Sequence, residues 1–450
     1  MEYDKPLMTY TKDKKGRPGI HIYKEDLELL KQIYIHRTMR AVSIHELLKV
    51  IYKGERTTKA ISKRLAKLTD SGVLIQMKHR AINNLHIFYY KLGTRGYEVL
   101  GKLASQGTEE QYSPDISITS TTIPATHTAA TSTIANRVYL SCSAKNLLKG
   151  FQHWRGSQHP LFLNRMGEES YAEIVPDWVF EYEDTIVCVE VDTGYQRRHV
   201  IADKYKRYIE LSQKEETQGK KIVVVFSVVD ESVDPTFTYN RDRRIAKLKE
   251  YAPPIHEWGI MNNELNIHFY AVSAFRTPPL IVEILSGFLP IKREERYKLA
   301  EDWSRKVQKV YGERIRLSQL SNDEVFNPRR ERFVDCECVF RMQNMNSGSE
   351  KTFAFLYGEE GSVFTYQLVR ANAMRLGQLT EHTELPNPEL LICYDAIENV
   401  NHNHYGVSFT LPVKEATYGQ WIQAEMNKEL PPQVKSIVSE FTKANVDLFK

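Results

Sequence analysis

The chain has 450 residues, 42% hydrophobic and 26% charged, with a formal net charge of +4. A length of roughly two to four domains with that apolar content supports real cores, so no disulfide framework or metal staple is needed for folding. No run approaches the ~18 apolar residues of a membrane span, and the polar start MEYDKPLMTYTKDKKGRPG argues against a signal peptide.

Five scattered cysteines suit a reducing compartment, and the cytoplasm is the expected location, with no membrane partner. Cys336 and Cys338, one residue apart, have the wrong spacing for a zinc knuckle and read as packing residues.

After a polar arm, KEDLELLKQIYIHR (24–37) places Leu27, Leu30, Ile33 and Tyr34 at helical spacing. SIHELLKVIY (43–52) starts at Ser43 with Glu46 three residues on, a capping-box signal. TTKAISKRLAKLTDSG (57–72) carries Ile61, Leu65 and Leu68 on one face and ends at Gly72. VLIQMKHRAINNLHIFYYKLG (73–93) reads as two strands around a turn. Three helices and a β-hairpin predict an N-terminal winged helix-turn-helix domain over residues 1–105.

Charge supports a nucleic-acid face there. Residues 51–100 hold ten Lys and Arg against Glu55, Asp70 and Glu98, a net +7 that exceeds that of the whole chain. The third helix turns Lys59, Ser62, Lys63 and Lys67 outward, Arg56 precedes it, and Lys78, His79 and Arg80 approach the tip of the wing. These are the side chains expected to meet double-stranded DNA.

The Ser/Thr-rich stretch 106–133 reads as a linker. From residue 134 to 290 the pattern becomes α/β: a helix at 134–149, a hairpin PDWVFEYEDTIVCVEVDTG (176–194), a helix at 199–214 and the apolar strand KKIVVVFSVVD (220–230). A helix (240–251) and a strand (264–275) follow, and residues 291–330 read as a charged helical connector. In the C-terminal α/β domain (331–450), TFAFLYGEEG (352–361) lies without a gap over TIVCVEVDTG (185–194), which sets Tyr357 on Glu190, Glu359 on Asp192 and Asp335 in the place of Asp177. A degenerate second copy of the preceding core, without its metal site, is expected.

Asp177 and Glu190 stand on the two strands of one hairpin and can converge on Mg²⁺ or Mn²⁺, which take hard oxygen ligands. In the order Pro-Asp, hairpin, Glu, helix, apolar strand, residues 176–230 resemble a PD-(D/E)XK restriction-endonuclease core. The resemblance implies that Asp177 and Glu190 bind the metal and that a Lys two residues after the Glu orients the attacking water. Here Asp192 takes that place, so weak or absent cleavage is expected unless Lys204, Lys206, Arg197 or Arg198 supplies the cation. Asp192 could also serve as a third ligand.

The winged helix, the linker and PDWVF…VEVDTG together resemble the replication-relaxation family of plasmids and mobile elements over roughly residues 20–230. That resemblance implies a role in replication initiation or DNA relaxation. The expected fold class is thus multidomain α+β, a winged helix followed by a restriction-endonuclease-like core and its degenerate copy. The rival is a transcriptional regulator without catalysis, whose nuclease-like and C-terminal parts serve homodimer formation or sensing. NHNHYG (401–406) lacks the His-hydrophobe-His pattern of a relaxase, and no phosphate-binding glycine loop is present.

Overall fold

A computed structural model describes residues 5–14, 16–80, 86–104, 126–163, 174–233, 240–254, 266–320, 336–379, 389–394, 413–417, 433–439 and 442–447. The NHNHYG stretch and Asp335 lie outside the described residues. The chain is a multidomain α+β protein with several sheets, and among the described residues no helix is long and apolar enough to cross a membrane.

The N-terminal unit opens with a small ribbon, β1 (Met8–Tyr10) and β2 (Ile20–Ile22). Helices α1 (Lys24–His36), α2 (Ala41–Ile51) and α3 (Thr58–Asp70) follow, with β3 (Met39–Arg40) between the first two. The hairpin β4 (Leu74–Arg80) and β5 (His86–Leu92) adds β3 on its β5 side, and α4 (Thr94–Ala104) closes the unit. Thr57 caps α3 by accepting the Ala60 N–H at 3.3 Å, and Ile61, Leu65 and Leu68 form its buried stripe. Arg64 on α3 pairs with buried Asp26 on α1, which fixes the angle between the two helices. The expected capping box at Ser43 is corrected: α2 starts at Ala41, and Ser43 is a buried residue inside the helix.

The middle unit contains α5 (Thr126–Ala144), β6 (Gln152–Arg155), α6 (Pro160–Leu163), β7 (Trp178–Tyr182), β8 (Thr185–Asp192), α7 (Arg198–Ser212), β9 (Lys221–Val228), α8 (Arg241–Glu250), β10 (Ile267–Ser273) and α9 (Thr277–Leu285). Its sheet runs β10-β9-β8-β7-β6. Strands β6, β7 and β8 are antiparallel neighbours, whereas β8, β9 and β10 are parallel. Helices α5 and α9 cover one face, α7 and α8 the other. Every residue of β8 is therefore buried, which explains the apolar stretch 186–189 and leaves Glu190 and Asp192 as buried acids at its end.

Helix α5 begins inside the stretch expected as linker. Its N-terminal half buries Ala130, Thr131, Ser132 and Thr133 on all sides, small enough for close helix packing, and Ile134, Val138 and Cys142 follow in the core. The hydroxyls of Thr131 and Thr133 donate to the carbonyls of His127 and Ala129 at 2.9 and 2.8 Å. This satisfies buried polar groups in a segment whose composition resembles a loop. The same helix docks the N-terminal unit: Asn136 donates to the Ser43 carbonyl at 3.2 Å, and Ser132 donates to that of Thr38 at 2.8 Å. Beside it His36 of α1 stacks on Trp178 of β7, ring centroids 4.6 Å apart.

The expected connector is also corrected. Helix α10 (Arg293–Tyr311) buries Ala300, Trp303, Val307 and Tyr311 on a second sheet, and β11 (Ile315–Leu320) is the first strand of that sheet. The sheet continues through β12 (Cys338–Asn344), β13 (Glu350–Gly358), β14 (Glu389–Tyr394), β15 (Val413–Thr417), β16 (Gln433–Ser439) and β17 (Thr442–Asp447), in sequential order. Helix α11 (Val363–Leu379) joins β13 to β14. The succession α10-β11-β12-β13-α11-β14-β15 has the connectivity of α5-β6-β7-β8-α7-β9-β10. Its strand directions agree pair by pair: antiparallel, antiparallel, parallel, parallel.

The register differs by one residue from the gapless sequence match. Trp178 faces Val189 in the first hairpin and Cys338 faces Phe355 in the second. Val187, Val189 and Val191 face α5 as Phe353, Phe355 and Tyr357 face α10. Leu356, not Tyr357, therefore stands where Glu190 does, since a one-residue slip moves a side chain to the other face. The sheets meet at the end of β13, where the Ala271 N–H donates to the Gly361 carbonyl at 2.9 Å. Tyr270 donates to Glu359 at 2.6 Å. A Cβ at Gly361 would lie 2.3 Å from Val272, so only glycine permits this approach.

Candidate functional site

Asp177 ends the segment before β7 and is tied to the neighbouring strand twice. Its N–H donates to the Val189 carbonyl at 3.0 Å, and its carboxylate accepts the Val191 N–H at 2.8 Å. Gly156 holds this corner in place. A Cβ there would sit 1.8 Å from the Pro176 carbonyl oxygen, so the absence of a side chain lets the chain press against the residue before Asp177.

Glu190, near the end of β8, is 3% exposed. One carboxylate oxygen accepts from Lys204 at 2.5 Å and the other from Tyr208 at 2.6 Å. Lys204 and Tyr208 are four residues apart on α7, hence neighbours on one helical face. Burial raises the Glu190 acid above its ordinary range, Lys204 opposes that shift, and the Asp177 charge adds to it. The two acids are thus electrostatically coupled. Burial and the Glu190 charge push the Tyr208 phenol well up, so it stays a hydrogen-bond donor.

His127, in the first turn of α5, completes the cluster and had no signal in the sequence reading. Its Nε2 lies 3.2 Å from an Asp177 oxygen and 3.1 Å from the Val191 carbonyl. The hydrogen bond to Asp177 is the main cause of an imidazole pKa raised above its ordinary value.

The structure thus brings Asp177, Glu190 and Lys204 together. It directs Asp192 elsewhere: this 2%-exposed carboxylate is held by Arg244 of α8 in a two-pronged pair of 3.0 and 2.6 Å. Lys206 is exposed on α7, as are Arg197 and Arg198 at its start, and none is paired with the two acids. Among the described residues no three His, Cys, Asp or Glu side chains form a metal cluster. The oxygens at hand are the Asp177 and Glu190 carboxylates and the Val191 carbonyl, a hard set that fits Mg²⁺ or Mn²⁺ completed by water and phosphate.

In the second sheet Glu337 repeats the backbone pattern of Asp177. Its N–H donates to the Phe355 carbonyl at 3.0 Å, and it accepts the Tyr357 N–H at 2.9 Å. Arg296 of α10 faces it at 3.4 Å, much as His127 of α5 faces Asp177. Leu356 and Gly358 occupy the places of Glu190 and Asp192, so a second pair of carboxylates is missing there.

On the N-terminal unit Arg56, Lys59, Ser62, Lys63, Lys67 and Lys78 are all exposed. Arg56 lies over the Tyr52 ring at 4.0 Å. His79 and Arg80 fall on β4, and their side chains lie outside the described residues.

Residues 30–225 match the family model described as replication-relaxation. This stretch runs from within α1 to within β9, so it takes in the three helices, the hairpin with Asp177 and Glu190, and α7. The family resemblance read from the sequence is borne out over that stretch. Neither curated proteins nor solved structures gave a match.

Proposed function

We propose, from the match of residues 30–225 to the replication-relaxation family model, that the chain binds double-stranded DNA of a plasmid or mobile element. It acts in replication initiation or relaxation by metal-dependent nicking. The N-terminal unit serves as the winged helix, with α3 as recognition helix, and the middle unit serves as a PD-(D/E)XK-like core. The observation that carries this reading is the 2.5 Å contact of Lys204 with Glu190. It supports a cation delivered from α7 where Asp192 has replaced the expected lysine.

Asp177 and Glu190 would hold Mg²⁺ or Mn²⁺, with the Val191 carbonyl as a further oxygen. The bound ion supplies Lewis-acid polarisation of a phosphate oxygen and a more acidic water. Lys204 places positive charge where negative charge develops on the phosphate, and its N–H groups orient the attacking water. Tyr208 holds the second oxygen of Glu190 so that the carboxylate keeps one orientation. His127 faces the same Asp177 oxygen that accepts the Val191 N–H, beside the place the ion would take.

A second reading is favoured by a specific observation: His127, Lys204 and Arg244 each face one acid of the hairpin. This supports a transcriptional regulator that binds DNA without cutting it. The deciding assay is nicking of supercoiled plasmid carrying the protein's own origin, with Mg²⁺ or Mn²⁺ added. Metal-dependent nicking lost in Asp177→Ala, Glu190→Ala and Lys204→Met supports the enzyme. Absence of nicking by wild type, with duplex binding kept, leaves the regulator.

A further inference from the structure

The loop between β8 and α7 displays a side chain that the nicking chemistry does not use. Tyr195 is 90% exposed, more than any other large apolar or aromatic residue among those described. The loop beneath it is firmly held. Arg244, 5% exposed, grips the Asp192 carboxylate at one end and the Gln196 carbonyl at the other, at 2.9 Å. The Gly194 N–H turns back onto Asp192 at 2.5 Å, with φ of +91° at that glycine. The ring thus stands in solvent on a tightly anchored loop, and no contact to it is found among the described residues.

Its surroundings are cationic. Arg197, Arg198 and His199 are exposed immediately after the ring, and no acidic residue occurs between Asp192 and Asp203. Arg198 also lies 5.7 Å from the Tyr251 ring of the neighbouring helix end. In the second sheet the corresponding loop 359–362 reads Glu-Glu-Gly-Ser and is docked on β10. Exposed aromatic and basic character is therefore particular to the copy that retains both carboxylates.

An aromatic face beside arginines is the chemistry that recognises unpaired nucleotides: the ring stacks on a base and the guanidinium groups meet the phosphates. In a duplex the base faces are covered by their neighbours and are not offered to such a ring. We propose that Tyr195, with Arg197 and Arg198, forms a single-stranded DNA contact beside the Asp177 and Glu190 centre and holds a melted strand there. This rests on the DNA-processing reading and deepens it by naming the state of the strand and the residue that meets it.

The test uses the full chain and two fluorescent probes, an oligothymidylate of about 12 nucleotides and a duplex of the same length. Tyr195→Ala is expected to weaken the single-strand complex about tenfold and leave duplex affinity unchanged, whereas Tyr195→Phe keeps single-strand binding. Single-strand affinity in Tyr195→Ala equal to wild type overturns the proposal. A wild type that binds the duplex but not the oligothymidylate also overturns it, and leaves the winged-helix reading standing. Tyr195-dependent binding of the single strand without duplex binding supports it and removes the winged-helix reading instead.

Discussion

Lys204 of α7 and Glu190 of β8 form a partly buried ion pair at 2.5 Å, with Tyr208 on the other carboxylate oxygen. Removing the ammonium leaves a desolvated carboxylate held only by a phenol. Lys204→Met should therefore destabilise the fold by roughly 2–3 kcal/mol, and Lys204→Met with Glu190→Gln should recover most of that loss. Urea unfolding of the two variants checks this. Equal stability of Lys204→Met and wild type would mean that the pair is not formed in solution.

Gly156 touches the carbonyl of Pro176, one residue before Asp177. Gly156→Ala should displace that corner, at a cost of about 1–3 kcal/mol from overpacking. Metal-dependent nicking should fall further than the unfolded fraction accounts for, while duplex affinity stays as in wild type. Nicking rate and thermal midpoint measured on the same preparation separate the two effects.

His153 on β6 sits 6.0 Å from Trp178 and, like His36, is buried where α1 meets the middle sheet. Burial lowers the His153 pKa to about 4 and holds His36 well below its ordinary value. Well above pH 6.5 both residues are neutral folded or unfolded, and the interface has its full stability. As the pH falls from 6.5 towards 4, the unfolded chain binds protons that the folded chain does not, so stability declines. His153 alone should account for about 2 kcal/mol by pH 5. Chemical denaturation across this range should show a shallower loss in His153→Phe, and parallel curves would exclude His153 as the source.

Lys59, Lys63 and Lys67 are exposed along α3. Their simultaneous replacement by Ala should weaken duplex binding and lower the slope of log affinity against log salt by about 2 to 3, one phosphate contact for each lysine. Fluorescence anisotropy over a salt series reads both quantities. An unchanged slope would exclude α3 as the phosphate-contacting helix.

The pairing of Asp177 with Glu190 was legible because proline-acid, hairpin, acid and basic helix follow one another within thirty residues, where local spacing constrains the fold. Lys204 was legible as one of several cations, but only the helical phase that puts it over Glu190 separates it from Lys206. His127 was not legible, since it lies in the first half of a helix whose buried residues there are alanine, serine and threonine, and those residues read equally well as a linker. Arg244 lies 52 residues from Asp192 in sequence, and only the packing of α8 joins them. The register of the second copy was misread for a reason inherent in its strands. Buried on both faces, they lack the alternation of apolar and polar residues that would reveal a slip of one.

The contact of Gly361 with Ala271 also has a consequence for solubility. Strand β10 ends the five-stranded sheet, and its outer backbone groups would otherwise be free to recruit a strand from another molecule. The segment after β13 occupies that position, so the copy that has lost Glu190's counterpart acts as a guard on its sibling's border. A chain shortened to end before α10 would carry an uncovered β10 and should self-associate. Its tendency to aggregate would then measure what the carboxylate-poor half contributes.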